Sequence, residues 1–217
     1  MKNLLYHLTC IAFLVCWIPE LCNAQQMPVL RLDTRVGLHV QNGTIMFTLN
    51  LLGEKGIPIG IEFSNTEKNE PKLNIDVEKA PLLKVLNLIV QQEPTYVWEL
   101  RDGVINFTPV QNRDVFFEKL LNTPIRSFQS SKRNNKFSIR EALVNLPEIK
   151  QLIIANGAEA DVLGYPHRPS IYANDADLSD KNLSFRSLLN KIIRDSEHNG
   201  WVLQWLDRKK KLFEIGL

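Results

Sequence analysis

The stretch LNIDVEKAPLLKVLNLIVQQEPTYVWELRDGVINFTP, residues 73–109, decides the fold of this chain. Over residues 73–78 apolar and polar side chains alternate, which is the pattern of a strand with one buried face. The period then changes to that of a helix with one apolar stripe, made of Leu82, Val85, Leu86, Ile89 and Val90. Pro81 suits the first helical position, where its missing N–H costs nothing.

A hairpin follows this helix. Tyr96, Trp98 and Leu100 recur at every second position, as in a strand. Residues 101–103, Arg-Asp-Gly, form a turn sequence, and residues 104–107 run back along the first strand. The stretch therefore predicts a unit of strand, helix and two further strands.

A strand–helix–strand unit precedes this stretch. Residues 35–40 alternate as a strand, and residues 42–44 open a helix that Gly56 ends. Residues 57–63 predict a second strand, in which Pro58 favours an edge position or a strand start. A polar loop, residues 64–72, leads on to the deciding stretch. Neither unit can bury its helix alone, so we expect the two to share one two-layer core.

The chain after residue 109 shows a similar alternation of elements. We expect a short helical connector within residues 110–122, a strand at 123–128 and a polar loop at 129–136. Ser138 and Glu141 form a capping box for a helix that Pro147 kinks or restarts. Residues 158–180 are irregular, with a candidate strand at 170–173. Ser184 then caps a strongly amphipathic helix, and residues 201–215 form a hairpin.

The last unit repeats the deciding stretch. The matched segments are Val85-Leu86-Asn87 with Leu188-Leu189-Asn190, Ile89-Val90 with Ile192-Ile193, Tyr96-Val97-Trp98 with Trp201-Val202-Leu203, and Asp102 with Asp207. Chance similarity between two α+β units is the alternative, but the shared order of cap, helix, break and aromatic hairpin favours duplication. We predict an α+β chain of two tandem βαβ-βαββ modules, with helices packed on small mixed sheets.

Residues 1–24 form a predicted signal peptide. Lys2 gives the positive start, residues 8–18 are mostly apolar, and small residues precede a cleavage site after Ala24. We expect a periplasmic or secreted chain that begins at Gln25 and has no transmembrane span. The alternative is an uncleaved membrane anchor, for which the apolar run is short and broken.

Composition and charge restrict which kinds of site and partner the exported chain is expected to have. All three cysteines, Cys10, Cys16 and Cys22, lie in the leader, so we expect no disulfide, thiolate nucleophile or cysteine metal site in the exported chain. The net charge of +2 favours neither nucleic acid nor an anionic membrane as a partner. The 44% of hydrophobic residues is enough for a packed core.

Candidate metal and acid–base residues are few. His39, His167 and His198 have no metal-ligand spacing, and His198 suits a helix C-terminus. Asp175, Asp177 and Asp180 are spaced loosely like calcium ligands, but the loop lacks the glycine and final glutamate of an EF-hand. We therefore predict no catalytic, cofactor-binding or metal residue, and no enzymatic activity.

Basic and aromatic residues offer two further candidate surfaces. The basic pairs and runs at 132–133 and 208–211 are interpreted as charged loops and turns rather than phosphate-binding sites. Four aromatic residues could line a groove, but their alternation favours packing under the helices; they are Tyr96, Trp98, Trp201 and Trp205. We expect any partner to bind at an exposed sheet edge instead.

The segment NGTIMFTLNLLGEKGIPIGIEF, followed by residues 73–109, resembles the short N-terminal domain shared by secretins and TonB-dependent receptors. The resemblance covers about residues 35–110 and implies two βαβ halves, helices held between small sheets, and a periplasmic address. We assign residues 25–113 to this module and residues 114–217 to a second, diverged copy. Family members usually continue into a pore or a barrel. Because Leu217 follows a hairpin directly, we expect neither here.

These observations predict an exported, non-enzymatic docking or adaptor module of the bacterial cell envelope. Its expected partner is a protein, such as an outer-membrane or secretion component. Two alternatives stay open. One is a periplasmic hydrolase or sugar-binding enzyme that uses residues 158–180, with His167, Tyr172 and Asp175 around a pocket. The other is a sensor that binds a small molecule between the modules.

Overall fold

The computed structural model describes residues 30–63, 71–130, 139–161, 178–195 and 199–217, except for the side chains of residues 130 and 178. Within these residues the chain forms ten strands and six helices arranged in mixed sheets. The predicted α+β class is therefore confirmed. The predicted signal peptide, the loop residues 64–70 and 131–136, Ser138 and residues 162–177 lie outside the described part of the chain.

The first half of the chain contains five strands and two helices. They are β1 (Arg35–Gly43), α1 (Ile45–Glu54), β2 (Ile59–Glu62), β3 (Leu73–Pro81), α2 (Leu82–Gln92), β4 (Tyr96–Arg101) and β5 (Val104–Pro109). Local signals set the breaks between them. Thr44 accepts a hydrogen bond from the Phe47 N–H at the start of α1, and Asp102 and Gly103 take the positive φ angles of a tight hairpin turn.

The second half contains five more strands and four helices. They are α3 (Val115–Asn122), β6 (Pro124–Ser130), α4 (Ile139–Val144), α5 (Pro147–Ala155), β7 (Glu159–Asp161), β8 (Leu178–Ser184), α6 (Phe185–Asp195), β9 (Gly200–Asp207) and β10 (Leu212–Gly216). Pro147 restarts the helix, as one of the two sequence alternatives proposed, and Ser184 caps α6 through the Ser187 N–H.

The two halves have the same strand pairing, with the same strand order and directions. In the first half β1 pairs antiparallel with β3, and the order β4-β5-β2 has β2 parallel and β4 antiparallel to β5. In the second half β6 pairs antiparallel with β8, and the order β9-β10-β7 repeats those directions. The module boundaries at residues 113 and 114 stay a prediction.

One six-stranded sheet joins the halves, because β2 pairs in parallel with β9. Neighbouring residues on one strand belong to different cores: Ile105 and Phe107 lie in the core of the first half, whereas Val104 lies in that of the second. Since successive side chains point to opposite faces of a strand, the two cores lie on opposite faces of the shared sheet.

Several sequence expectations were wrong in detail. Pro58 directly precedes β2, so the strand-start alternative holds, whereas the edge alternative does not, because β2 is central in the sheet. Pro81 is the cap residue of α2 rather than its first helical residue. The expected connector is α3, whose buried Phe116 and Phe117 are part of the second core. Strands β7 and β8, at the two ends of the irregular region, were not predicted from the sequence.

Candidate functional site

The contact between β2 and β9, which we call the junction, is the most elaborate polar site in the described structure. Gly60 lies opposite Trp201 in the paired strands. A Cβ atom on Gly60 would lie 2.3 Å from the indole atom Cε2 of Trp201, so only glycine leaves room for this ring. The main chains also bond across the junction, with the Phe63 N–H donating to the Leu203 carbonyl at 2.8 Å.

A buried ion pair crosses the junction. The Glu62 side chain is 1% exposed, and its Oε2 lies 3.5 Å from the guanidinium of Arg186 on α6. Arg113, which follows β5, donates from Nε to both oxygens of the same carboxylate, at 3.1 and 3.0 Å. Two arginines thus converge on one carboxylate that has lost almost all of its contact with water.

Burial dominates the electrostatics of this ion pair. It raises the pKa of Glu62 above its ordinary value, while Arg113 and Arg186 pull that pKa back down. Burial likewise lowers the pKa of Arg186, and Glu62 opposes that shift. The group is therefore held together by mutual pairing at a substantial desolvation cost.

Two asparagines complete the junction. Asn106 on β5 accepts from Arg186 at 3.5 Å and donates to the Val104 carbonyl. Asn190 on α6 accepts from the Trp201 indole N–H at 2.7 Å and donates to the Arg101 carbonyl of the first half at 3.1 Å. Within the described residues, every fully buried side-chain nitrogen and oxygen has a hydrogen-bond partner.

The same helix–tryptophan bond occurs in the first half, where it is open to solvent. Asn87 on α2 accepts from the Trp98 indole N–H at 3.2 Å, and each asparagine precedes its tryptophan by 11 residues. The sequence match of Tyr96 with Trp201 was therefore shifted, because these bonds make Trp98 the counterpart of Trp201. Asn87 is exposed and Trp98 is half-buried.

An apolar groove runs along this part of α2. Its lining residues are Pro81, Leu83, Lys84, Asn87, Leu88 and Gln91. Leu83 is 44% exposed, and on the adjacent edge strand β4 the Val97 and Leu100 side chains are 52% and 41% exposed. We call the groove together with β4 the α2/β4 surface.

The structure places some of the weighed residues and leaves others outside its described part. His39 is exposed on β1, with Nδ1 2.6 Å from Asp76 Oδ1. Asp180 on β8 lies 3.1 Å from the Lys191 ammonium, and residues 208–211 form the turn between β9 and β10. His167, His198, Tyr172, Asp175, Asp177 and the pair at 132–133 lie outside the described residues.

Three of the four weighed aromatic residues pack in the cores, as the alternation predicted. Tyr96, Trp201 and Trp205 are 5%, 1% and 6% exposed. Trp205 stacks on Phe117 with a ring-centroid distance of 4.9 Å, and its indole N–H donates to Asp114. Trp98 packs against the first core as well, but it is only half-buried, beside the groove.

The described ranges contain no group of three histidine, cysteine or acidic side chains placed to hold a metal ion. Among the same residues, no helix combines the length and the apolar character that crossing a membrane requires.

Sequence reasoning missed the Glu62–Arg186 pair altogether. The two residues are 124 positions apart, and they meet only because the second half joins the sheet of the first. One local signal was available. Glu62 ends an otherwise apolar strand, and a charged residue in such a position is rarely buried without a partner.

Comparison of the chain with protein-family models, with curated proteins and with solved structures gives no match.

Proposed function

We propose that this chain is an exported, non-enzymatic docking module of a bacterial cell envelope, and that it works by binding another protein. The junction is the observation that carries this proposal. One half of the chain already binds the other by adding a strand to the edge of its sheet, with a satisfied polar network beside the strand. A fold that recognises a strand edge within its own chain is suited to recognise one in a partner.

The predicted export signal and the resemblance to a known domain family also support this proposal. The predicted leader, residues 1–24, directs export, and the resemblance to the short N-terminal domain of secretins and TonB-dependent receptors implies docking in the envelope. The repeated strand connections of the two halves agree with the tandem arrangement that the resemblance suggests.

The test is cross-linking of the epitope-tagged full chain in its own host, followed by cell fractionation and mass spectrometry. We expect the chain to begin at Gln25 and to be cross-linked to one envelope protein. Excess untagged chain should compete for that protein. Retention of the chain in the cytoplasm, or cross-links that untagged chain cannot compete away, would contradict the proposal.

A further inference from the structure

We infer that the α2/β4 surface is a strand-addition site for a partner protein. The strand that it accepts would run parallel to β4 and carry glycine opposite Trp98. This inference deepens the proposed docking function and rests on it, since it names the surface and the chemistry of the partner. The equivalent surface of the second half is occupied within the chain, by strand β2.

Three helix positions correspond between the two surfaces. Aligned without gaps through Asn87 and Asn190, helix α2 places Leu83 where α6 has Arg186, and Gln91 where α6 has Arg194. All three α6 residues contact the first half: Arg186 at Glu62, Asn190 at the Arg101 carbonyl and Arg194 at the Asp102 carbonyl. Their three α2 counterparts line the open groove. The groove is thus the first half's version of a surface that binds protein.

The edge of β4 supplies main-chain groups for such a strand. The Val110 N–H donates to the Thr95 carbonyl, so these opposite residues form a hydrogen-bonded pair of the β4–β5 ladder. Hydrogen-bonded pairs alternate along an antiparallel ladder, so the N–H groups of Trp98 and Leu100 point away from β5. Within the described residues no strand pairs with this side of β4.

The strand that occupies the second half's surface indicates which strand the α2/β4 surface would accept. The strand beside Trp201 is Ile59-Gly60-Ile61-Glu62, in which glycine makes room for the indole and the glutamate reaches Arg186. Leu83 stands in the place of Arg186, and the groove around it is mainly apolar. The partner strand should therefore keep the glycine and replace the glutamate by an apolar residue.

A second copy of this chain is a poorer occupant. The strand that corresponds to β2 in the second half is β7, which has three residues and carries Glu159 and Asp161. Short strands with charged side chains are a common protection against edge-to-edge pairing. Strand β7 therefore does not match the glycine-containing strand that the surface requires.

The test titrates peptides into the isotope-labelled full chain and follows its amide and indole N–H signals by NMR. The first peptide is IPIGILF, which is the sequence of residues 57–63 with leucine in place of glutamate, flanked by lysines for solubility. The controls are the unchanged sequence IPIGIEF and the valine peptide IPIVILF. We expect shifts at the Trp98 indole, the Asn87 side-chain amide and the Leu100 N–H. Binding should weaken at least about tenfold when glycine becomes valine.

A change of specificity gives the sharper result. Leu83→Arg recreates the charge found at Arg186, so this variant should prefer IPIGIEF, whereas the unaltered chain prefers IPIGILF. Leu83 is exposed, so the substitution leaves the core intact. Ile154→Ala, which truncates a 68% exposed apolar residue on α5, is the matched control and should bind all three peptides as the unaltered chain does.

Three results would overturn the inference. They are no shift at peptide concentrations up to about 2 mM, shifts at the Trp201 indole that report strand exchange at the junction, or self-association that Leu83→Arg abolishes. If the peptides bind but no envelope partner is cross-linked, the inference about the α2/β4 surface holds and the proposed docking function is wrong. The opposite result would be an envelope partner that untagged chain competes away, no binding of any peptide, and a cross-link that Leu83→Arg leaves unchanged. That result would keep the proposed function and remove the inference about the α2/β4 surface.

Discussion

Gly60 is the residue on which the contact between the two halves depends most directly. Its missing side chain lets the Trp201 indole lie against β2, where a Cβ would come within 2.3 Å of the ring. The sequence shows a glycine between two isoleucines but gives no sign of the tryptophan, which is far away along the chain. The reason for this glycine therefore becomes visible only in the folded sheet.

Gly60→Ala should lower the free energy of unfolding by about 1–3 kcal/mol, because the added methyl group overpacks the junction. Urea denaturation followed by circular dichroism measures this loss. The control is the same substitution in a Trp201→Leu background, in which the smaller side chain makes room for the methyl group. An equal loss in both backgrounds would contradict the role given to the ring.

Glu62 should make stability depend on pH in an unusual direction. Burial raises its pKa above the ordinary 4.5, so the folded chain holds this proton more tightly than the unfolded chain does. The free energy of unfolding therefore contains a component that is present below pH 4.5 and is lost as pH rises through the folded pKa. Glu62→Gln should remove this component.

Arg186 is one of the two arginines that limit how far burial raises the pKa of Glu62. Arg186 lowers the pKa of Glu62 by its charge, so Arg186→Gln should move the loss of stability to higher pH. Urea denaturation at a series of pH values, at constant salt, compares the three proteins. Stability that rises with pH more steeply in the unaltered chain than in Glu62→Gln would show that the arginines outweigh burial.

At the scale of elements, α2 and α6 are two copies of one helix in different surroundings. Both carry an asparagine that accepts from a tryptophan indole. Asn190 is fully buried and also satisfies a carbonyl of the other half, whereas Asn87 is exposed. Comparing the two asparagines therefore separates what the helix sequence contributes to stability from what its surroundings contribute.

Asn190→Ala should cost about 2–4 kcal/mol, because the Trp201 N–H and the Arg101 carbonyl both lose a buried partner. Asn87→Ala should change stability by no more than about 0.5 kcal/mol, as expected for a surface position. Both substitutions gain the same helix propensity, so the difference reports the junction alone. Chemical denaturation of the two variants measures this difference in the free energy of unfolding. Equal losses of stability in the two variants would contradict this interpretation.

The elements that the sequence predicted best are those with a strong local period. Helix α2 and the β4–β5 hairpin were predicted from their apolar spacing and their turn residues. Strand β8 was not, because its residues are mainly polar and its strand geometry depends on pairing with β6. Helix α3 was predicted as a connector, since the aromatic residues that bury Phe116 and Phe117 come from β9 and β10.

At the scale of the whole molecule, the shared sheet makes the two cores depend on each other. Strand β2 is paired on both sides, with β5 of its own half and with β9 of the other. Unfolding of either half would open the β2–β9 ladder and separate Glu62 from Arg186. The sequence predicted two related units of the right class but not their pairing, because no local pattern specifies which edge meets which.

Urea should therefore unfold the unaltered chain in a single transition, with the same midpoint by circular dichroism and by tryptophan fluorescence. Gly60→Val, which places a larger side chain against Trp201, should separate the two halves and give two transitions. Asn87→Ala is the control and should keep one. Two transitions in the unaltered chain would mean that the halves unfold independently.

The opposite placement of the two cores has a consequence for how such a chain can grow. Each unit is turned over relative to the one before it, so repeated copies would extend a single ribbon without closing into a ring. Among the described residues, the two outer strands of this sheet are unlike: β4 has six residues, whereas β7 has three, two of them acidic. Further units could be accepted at β4, while β7 acts as the terminal cap that arrays of repeats require.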